Sequence, residues 1–255
     1  MDVMNKLLGT GLVFGALIAP PAMAADLGAQ TYRIPVAAYS WTGCYIGGNV
    51  GEAWSRQNAN ESAAPLVLFP GSVTADKSGA IGGVHAGCNV EGTYGVARGW
   101  VFGIEIDWSG TKLNGTQTVV LPPGAGVVTF TETTKSLVTI RGRAGVTVMP
   151  NVLLYATVGT VWNHTDYAGL HTFPACPTNC SVAAFSSTNF GWVSGGGIEW
   201  ALWNSNWIAR IEGLYYIVSG ASPGGFQPGT IAQNSVWYWN NLGIAEGRVG
   251  LSYKF

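Results

Sequence analysis

Charged side chains are scarce in this chain. Asp, Glu, Lys and Arg make up only 10% of its 255 residues, against roughly 25% in soluble domains. The balance is near neutral, with a formal net charge of −1. That argues against a nucleic-acid partner, which shows as a basic patch. Beyond residue 24 no apolar run reaches the ~18 residues a spanning helix needs, so a helical membrane protein is not expected. Walker loop, HExxH pair and dinucleotide fingerprint in a βαβ setting are all missing, and no cofactor is implied. What the chain does have is glycine (37 residues) and tryptophan (11). Few charges with many Gly and Trp fit an outer surface that meets lipid, and a barrel of strands remains open.

Residues 1–24 read as a secretory signal. Lys6 supplies the positive start, Leu7 to Ile18 the apolar stretch, and Ala22-Met23-Ala24 the small-residue cleavage site. Residues 25–40 carry Pro35 and no periodicity, and read as a periplasmic lead to a domain over 41–255. Export would also permit disulfides among the four cysteines.

Within 41–255, eight segments alternate with period two or are glycine-rich: near 41–54, 79–91, 99–111, 132–148, 152–165, 188–203, 206–219 and 239–255. Side chains alternate faces along a strand. In the third, Trp100, Phe102, Ile104, Ile106 and Trp108 share one face, opposite Val101, Gly103, Glu105 and Asp107. In the fourth, Val138, Ile140, Gly142, Ala144, Val146 and Val148 oppose Lys135, Thr139, Arg141, Arg143 and Thr147. In the seventh, Ala209, Ile211, Gly213, Tyr215 and Ile217 oppose Arg210, Glu212, Leu214 and Tyr216. In the last, Ala245, Gly247, Val249, Leu251, Tyr253 and Phe255 oppose Ile244, Glu246, Arg248, Gly250, Ser252 and Lys254. An apolar outside around a polar inside is the pattern of a transmembrane β-barrel.

Connections alternate in length. Met149-Pro150-Asn151, Asn204-Ser205 and Gly92 to Arg98 are short, whereas 55–78, 112–131, 166–187 and 220–238 each run to about twenty residues. Short turns on one side and long loops on the other are the outer-membrane arrangement. The expected fold is an all-β, eight-stranded antiparallel barrel with four long extracellular loops and both termini periplasmic.

The stretches Trp41-Thr-Gly-Cys-Tyr-Ile-Gly-Gly-Asn-Val-Gly51, Gly82-Gly-Val-His-Ala-Gly-Cys-Asn89, Trp100-Val-Phe-Gly-Ile-Glu-Ile-Asp-Trp108 and Gly247-Arg-Val-Gly-Leu-Ser-Tyr-Lys-Phe255 resemble the alphaproteobacterial outer-membrane immunogenic proteins. These are a porin-like β-barrel family of rhizobia, brucellae and relatives. The similarity runs from about residue 41 to the end. It implies an eight-stranded barrel in a Gram-negative outer membrane, and surface antigens and membrane-integrity proteins as its kin. It says little about activity, because fold alone does not carry function. Tyr253 and Phe255 also resemble the terminal signal read by the barrel-insertion machinery. Where the family has aromatics, this chain has Cys44 and Cys88. They lie at adjacent ends of the first hairpin and are expected to face each other and to be able to bond, the alternative being two independent thiols. Cys176 and Cys180, separated by Pro-Thr-Asn, form a second candidate disulfide in the third long loop.

On the period-two reading the inward charges are Glu105, Asp107, Arg141, Arg143, Glu199, Arg210, Glu212, Glu246, Arg248 and Lys254. An eight-stranded barrel is just wide enough for side chains to fill, so these charges must pair or stay wet. Arg141 and Arg143 are expected opposite Glu105 and Asp107. A pairing network that closes the barrel is set against a narrow polar path for small solutes. Trp41, Trp100, Trp200, Trp207, Tyr253 and Phe255 at one end, with Trp54, Trp108, Trp162, Trp192 and Trp239 at the other, read as two interfacial girdles.

The one cluster suited to catalysis at the rim is His164, Asp166 and His171, with no motif around it; the remaining histidine is His85. No enzyme is expected. The expected partners are outer-membrane lipids and lipopolysaccharide, and the expected state is a monomer. Adhesion through the loops is the other reading, with Leu66 to Phe69 and Val119 to Leu121 as apolar islands.

Overall fold

The computed structural model describes residues 39–64, 73–95, 98–120, 123, 126–173, 176–220 and 234–255. Side chains are described for all of these except 57–64, 73–76, 171, 173, 176–183, 204 and 234–238. The expected signal segment 1–24 and Leu66 to Phe69 lie outside the described residues.

Strand-forming sequence dominates the compact unit Ala37–Phe255. Its strands are β1 (Gly43–Ala64), β2 (Val73–Glu91), β3 (Trp100–Val120), β4 (Val127–Met149), β5 (Val152–Phe173), β6 (Cys176–Ala201), β7 (Trp207–Val218), β8 (Asn234–Trp239) and β9 (Leu242–Lys254). Each neighbour pair is antiparallel, and β1 bonds both β2 and β9, closing the sheet on itself. β8 and β9 are two lengths of one eighth barrel strand, since both pair with β1. Closure leaves no open sheet edge where β1 to β7 and β9 pair around the ring, the condition for strands to cross lipid. Among the described residues, no helix is long and apolar enough to cross a membrane.

The strand ends at one rim are joined tightly. Gly95 and Gly99 adopt φ of +60° and +78° in the turn between β2 and β3, a region glycine enters without steric penalty. Trp203 takes φ 48° in the 3-10 turn Leu202–Asn204. Both the start of β1 and the end of β9 lie at this rim, the periplasmic side in an outer-membrane barrel.

At the other rim the strands run on. β4 has 23 residues and β6 has 26, where a tilted strand needs only ≈ 9–11 to span a membrane. Most of the segments expected as long loops, 55–78, 112–131 and 166–187, are thus paired hairpin. Their Thr and Val side chains favour a pleated surface. Thr116 and Thr118 of β3 stand 3.2 Å and 3.3 Å, hydroxyl to hydroxyl, from Thr131 and Thr129 of β4. Up to Trp54, Trp108, Trp162 and Trp192 the outward face is largely apolar, with Glu52 of β1 the charged exception between Val50 and Trp54. Beyond that level Thr, Ser, Asn, His and Asp predominate among the exposed side chains, marking where the lipid ends.

A bulge changes one assignment. The registers of β3–β4 and β4–β5 slip at Gly110/Leu113 and Thr134/Ser136. Lys135 is turned out, its side chain 53% exposed and 3.4 Å from Asp166, instead of facing inward with Thr139 and Arg141. An extra residue in one strand displaces its side chain from the alternation.

Candidate functional site

The barrel interior is layered. Nearest the periplasmic rim, Trp41, Val101, Leu153, Tyr155, Ala201 and Ile208 form a buried apolar cluster. Farther out, Ile81, Leu113, Leu137, Val161, Val193, Leu214 and Leu242 belong to a second, larger one. Between them lies the charged layer.

Glu105 on β3 is its hub. It pairs with Arg141 of β4, with Arg210 of β7 at 2.9 Å and with Arg143 at 3.5 Å. β3 and β7 stand on opposite sides of the ring, so the Glu105–Arg210 pair crosses the lumen. Glu199 takes Arg143 at 2.7 Å and Arg210 at 3.0 Å. Glu212 takes Arg141 at 3.0 Å and Arg248 at 2.6 Å. Arg248 also reaches Asp107 at 3.0 Å and Glu246 at 3.5 Å.

Five carboxylates face four guanidinium groups here, and neutral donors serve the excess. The hydroxyls of Tyr45, Tyr155 and Tyr216 donate to Glu105 (2.6 Å), Glu212 (2.9 Å) and Glu246 (2.5 Å). Asn49 and Ser109 donate to Asp107, each at 3.0 Å. Glycine makes room for these rings. A Cβ at Gly87 would stand 2.5 Å from the Tyr45 hydroxyl, and one at Gly197 would stand 2.9 Å from that of Tyr155. Arg143 stacks its guanidinium 4.0 Å over the Tyr155 ring. His85 lies beside the layer, with Nε2 2.8 Å from Ser252 Oγ and Nδ1 3.3 Å from the Asn49 amide.

Glu105, Asp107, Arg141, Arg143, Glu199, Arg210, Glu212, Glu246 and Arg248 are therefore all buried inside and brought together. Three placements differ from expectation. Asp107 meets Arg248 instead of Arg141 or Arg143, because its register partner on β4 is Thr139. Arg143 instead reaches Glu199, two strands away. Lys254 stands outside the network, at the rim. Its ammonium bonds the Ser40 carbonyl and lies 4.4 Å from the centre of the Tyr39 ring. The tyrosines, Asn49, His85 and the apolar layers were not singled out by the sequence. Trp41 apart, their signal was parity: each sits at an inward position of its strand.

Trp54, Trp100, Trp108, Trp162, Trp192, Trp200, Trp207, Tyr253 and Phe255 are exposed on the outward face. Trp41 and Trp239 are not, which corrects the girdle reading for both. Trp41 precedes β1, so strand alternation does not govern it. Its backbone N–H donates to Glu91 at 2.9 Å, and its ring is fully buried in the lumen. Trp239 ends β8. Asn240 and Asn241, between β8 and β9, restart the alternation, and the Trp239 ring packs inside against Tyr167 (5.1 Å) and Phe185 (5.4 Å).

Cys44 and Cys88 are directly opposed and joined by a disulfide on the outward face. Cys176 lies at the start of β6; its side chain and that of Cys180 lie outside those described. Of the rim histidine cluster, the side chains of His164 and Asp166 are described. His164 is exposed, its Nδ1 3.1 Å from Thr188 Oγ1. Asp166 accepts from Ser186 at 2.6 Å, a bond that, ahead of Lys135, holds its carboxyl below the usual range. The side chain of His171 lies outside those described. Among the described residues, no group of His, Cys, Asp and Glu is arranged to hold a metal ion.

Residues 12–255 match the family model for the outer membrane protein beta-barrel domain. The chain is 28% identical to the 31 kDa outer-membrane immunogenic protein of Brucella melitensis biotype 1, over 94% of this chain and 96% of that protein. The same holds for the protein of that name from Brucella suis biovar 1. Among solved structures it is similar to the outer membrane protein OprG of Pseudomonas aeruginosa, with TM-score 0.48 and 13% identity over 84% of this chain and 96% of that one. A closed antiparallel barrel with an apolar outer band, matched by the family model along nearly its whole length, belongs to the outer membrane beta-barrel family and resides in the outer membrane of a Gram-negative bacterium.

Proposed function

We propose that this protein is a closed barrel, a surface antigen that supports envelope integrity and carries long β-hairpins above the outer leaflet, and that conduction is at most a minor activity. The observation that supports this is the interior order: a cross-lumen ion-pair layer between two dry apolar layers. Charges of mixed sign in a narrow lumen close it by pairing, and desolvated pairs resist the entry of a passing ion. The relatives named as immunogenic proteins fit a chain displayed at the cell surface.

Catalysis is not part of this reading, since His164 and Asp166 are each engaged by hydroxyl partners. Cleavage after Ala24 and insertion through Tyr253 and Phe255 complete it. Phe255 is 74% exposed, as a docking terminus requires. Recording single-channel currents from the refolded mature chain in a planar bilayer tests the closed state. A silent barrel, with heat-modified mobility as the control for folding, is expected. Stable, reproducible openings would replace this reading with that of a pore.

A further inference from the structure

A groove of about 600 Å³ opens on the outward face of β1 to β4. Register sets its plan. Cys44, Cys88 and Ile104 stand in one row across β1, β2 and β3, and Ile46, Ala86 and Ile106 in the next outward row above it. The disulfide and the methyl of Ala86 form a low floor. Ile46, 58% exposed, and Ile104, 70% exposed, rise on either side of it. Phe255 flanks the lower end, its backbone N–H donating to the Cys44 carbonyl at 3.0 Å. The groove thus begins at the periplasmic rim and stops short of Trp108 in the outer girdle.

The side chains that face outward into it are apolar. Bonding of the two sulfurs leaves no S–H donor in the floor. Tyr45 and Glu105 border the groove only from within the wall, where the tyrosine hydroxyl donates to the carboxylate. The polar groups lie below, in the turn that joins β2 to β3. Tyr94 there is 87% exposed. Arg98 is also exposed and has no ion-pair partner among the described residues. Glu91, at the end of β2, is engaged by the Trp41 N–H.

We propose that this groove holds one acyl chain of an anionic phospholipid from the periplasmic leaflet, with its phosphate at Arg98. The groove is continuous with the lipid-facing band, so a bilayer lipid is the occupant within reach. A chain lying between Ile46 and Ile104 gains dispersion contacts on three sides, where a flat wall offers one. An exposed tyrosine at this rim suits headgroup depth, and a guanidinium fork matches phosphate oxygens. Groove and charge together favour this lipid over one with no net charge.

Native mass spectrometry of the full mature barrel in detergent tests this, with dipalmitoylphosphatidylglycerol as the probe. One retained lipid per barrel is expected. Dipalmitoylphosphatidylcholine, with the same chains and no net charge, should be held about fivefold more weakly. Arg98→Gln should abolish that difference. Ala86→Phe raises the floor and should weaken retention of both lipids at least about tenfold, with heat-modified mobility showing that the barrel is folded. Ala86→Leu takes its place if the ring hinders folding. Ile198→Phe, on the outward face of β6 across the ring, should change nothing. Full retention in the folded Ala86 variants would mean an ordinary lipid shell and would overturn the proposal. Equal retention of the two lipids by the parent would do the same, as would the mass of a dimer in place of a lipid-bound monomer.

Discussion

At the scale of single residues, Glu105 holds the interior together. It faces Arg141, Arg143 and Arg210 at once. Removing one partner of a buried pair leaves charge without compensation, at about 3–5 kcal/mol. Glu105→Gln is therefore expected to lower the unfolding free energy of the folded barrel, read from urea titration in detergent, by an amount in that range. Replacing Arg141 and Arg143 together with Met strands Glu105 and Glu199 beside Arg210 alone, and should bring heat-modified mobility on gels at a lower temperature than in the parent. Unchanged transitions in both variants would mean that water, and not pairing, solvates these groups. Which side chains are charged and inward could be read from alternation. The neighbouring-strand pair Arg141–Glu105 could be read as well; the cross-lumen pairs could not, because Asp107 and Arg248 meet from positions 141 residues apart.

Pairing between strands explains both the gains and the misses at the level of elements. Adjacent ends of the first hairpin suggested Cys44 and Cys88 as partners, and the register opposes them directly. The bond closes a loop with a sequence separation of 44, for which chain entropy gives a stabilisation of about 4 kcal/mol. Cys88→Ser should lower the urea midpoint accordingly while leaving the folded mobility intact. Neither Cys44 nor Cys88 should react with a thiol reagent before reduction. The hairpin extensions were harder to see. Segments such as Thr129 to Thr134 alternate, but Thr, Gly and Asn also favour turns, and only a partner strand decides. An epitope placed between Val120 and Val127 should be bound by antibody on intact cells, since β3 and β4 carry that connection beyond the girdle level. Binding only after the cells are opened would reverse the assigned orientation.

For the molecule as a whole, the closed state rests on barriers in series. Trp41 plugs the periplasmic layer, yet the ion-pair layer and the outer apolar cluster remain beyond it. Trp41→Ala should cost about 3–5 kcal/mol of stability through the cavity it leaves, and bilayer recordings of that variant should still be silent. Openings in that variant would identify the tryptophan as the single gate. The sequence by itself determined the closed antiparallel barrel, the lipid-facing band and the burial of a mixed-charge set, because a period of two assigns each side chain to a face without knowledge of its partners. Tertiary structure decided what depends on shift and distance. The bulge that turned Lys135 outward, the interruption between β8 and β9 that restarted alternation at Trp239, the entry of Trp41 into the lumen and the choice of ion pairs across it all arise where the chain leaves regular pairing or where contacts span the ring. Local periodicity carries no information about either.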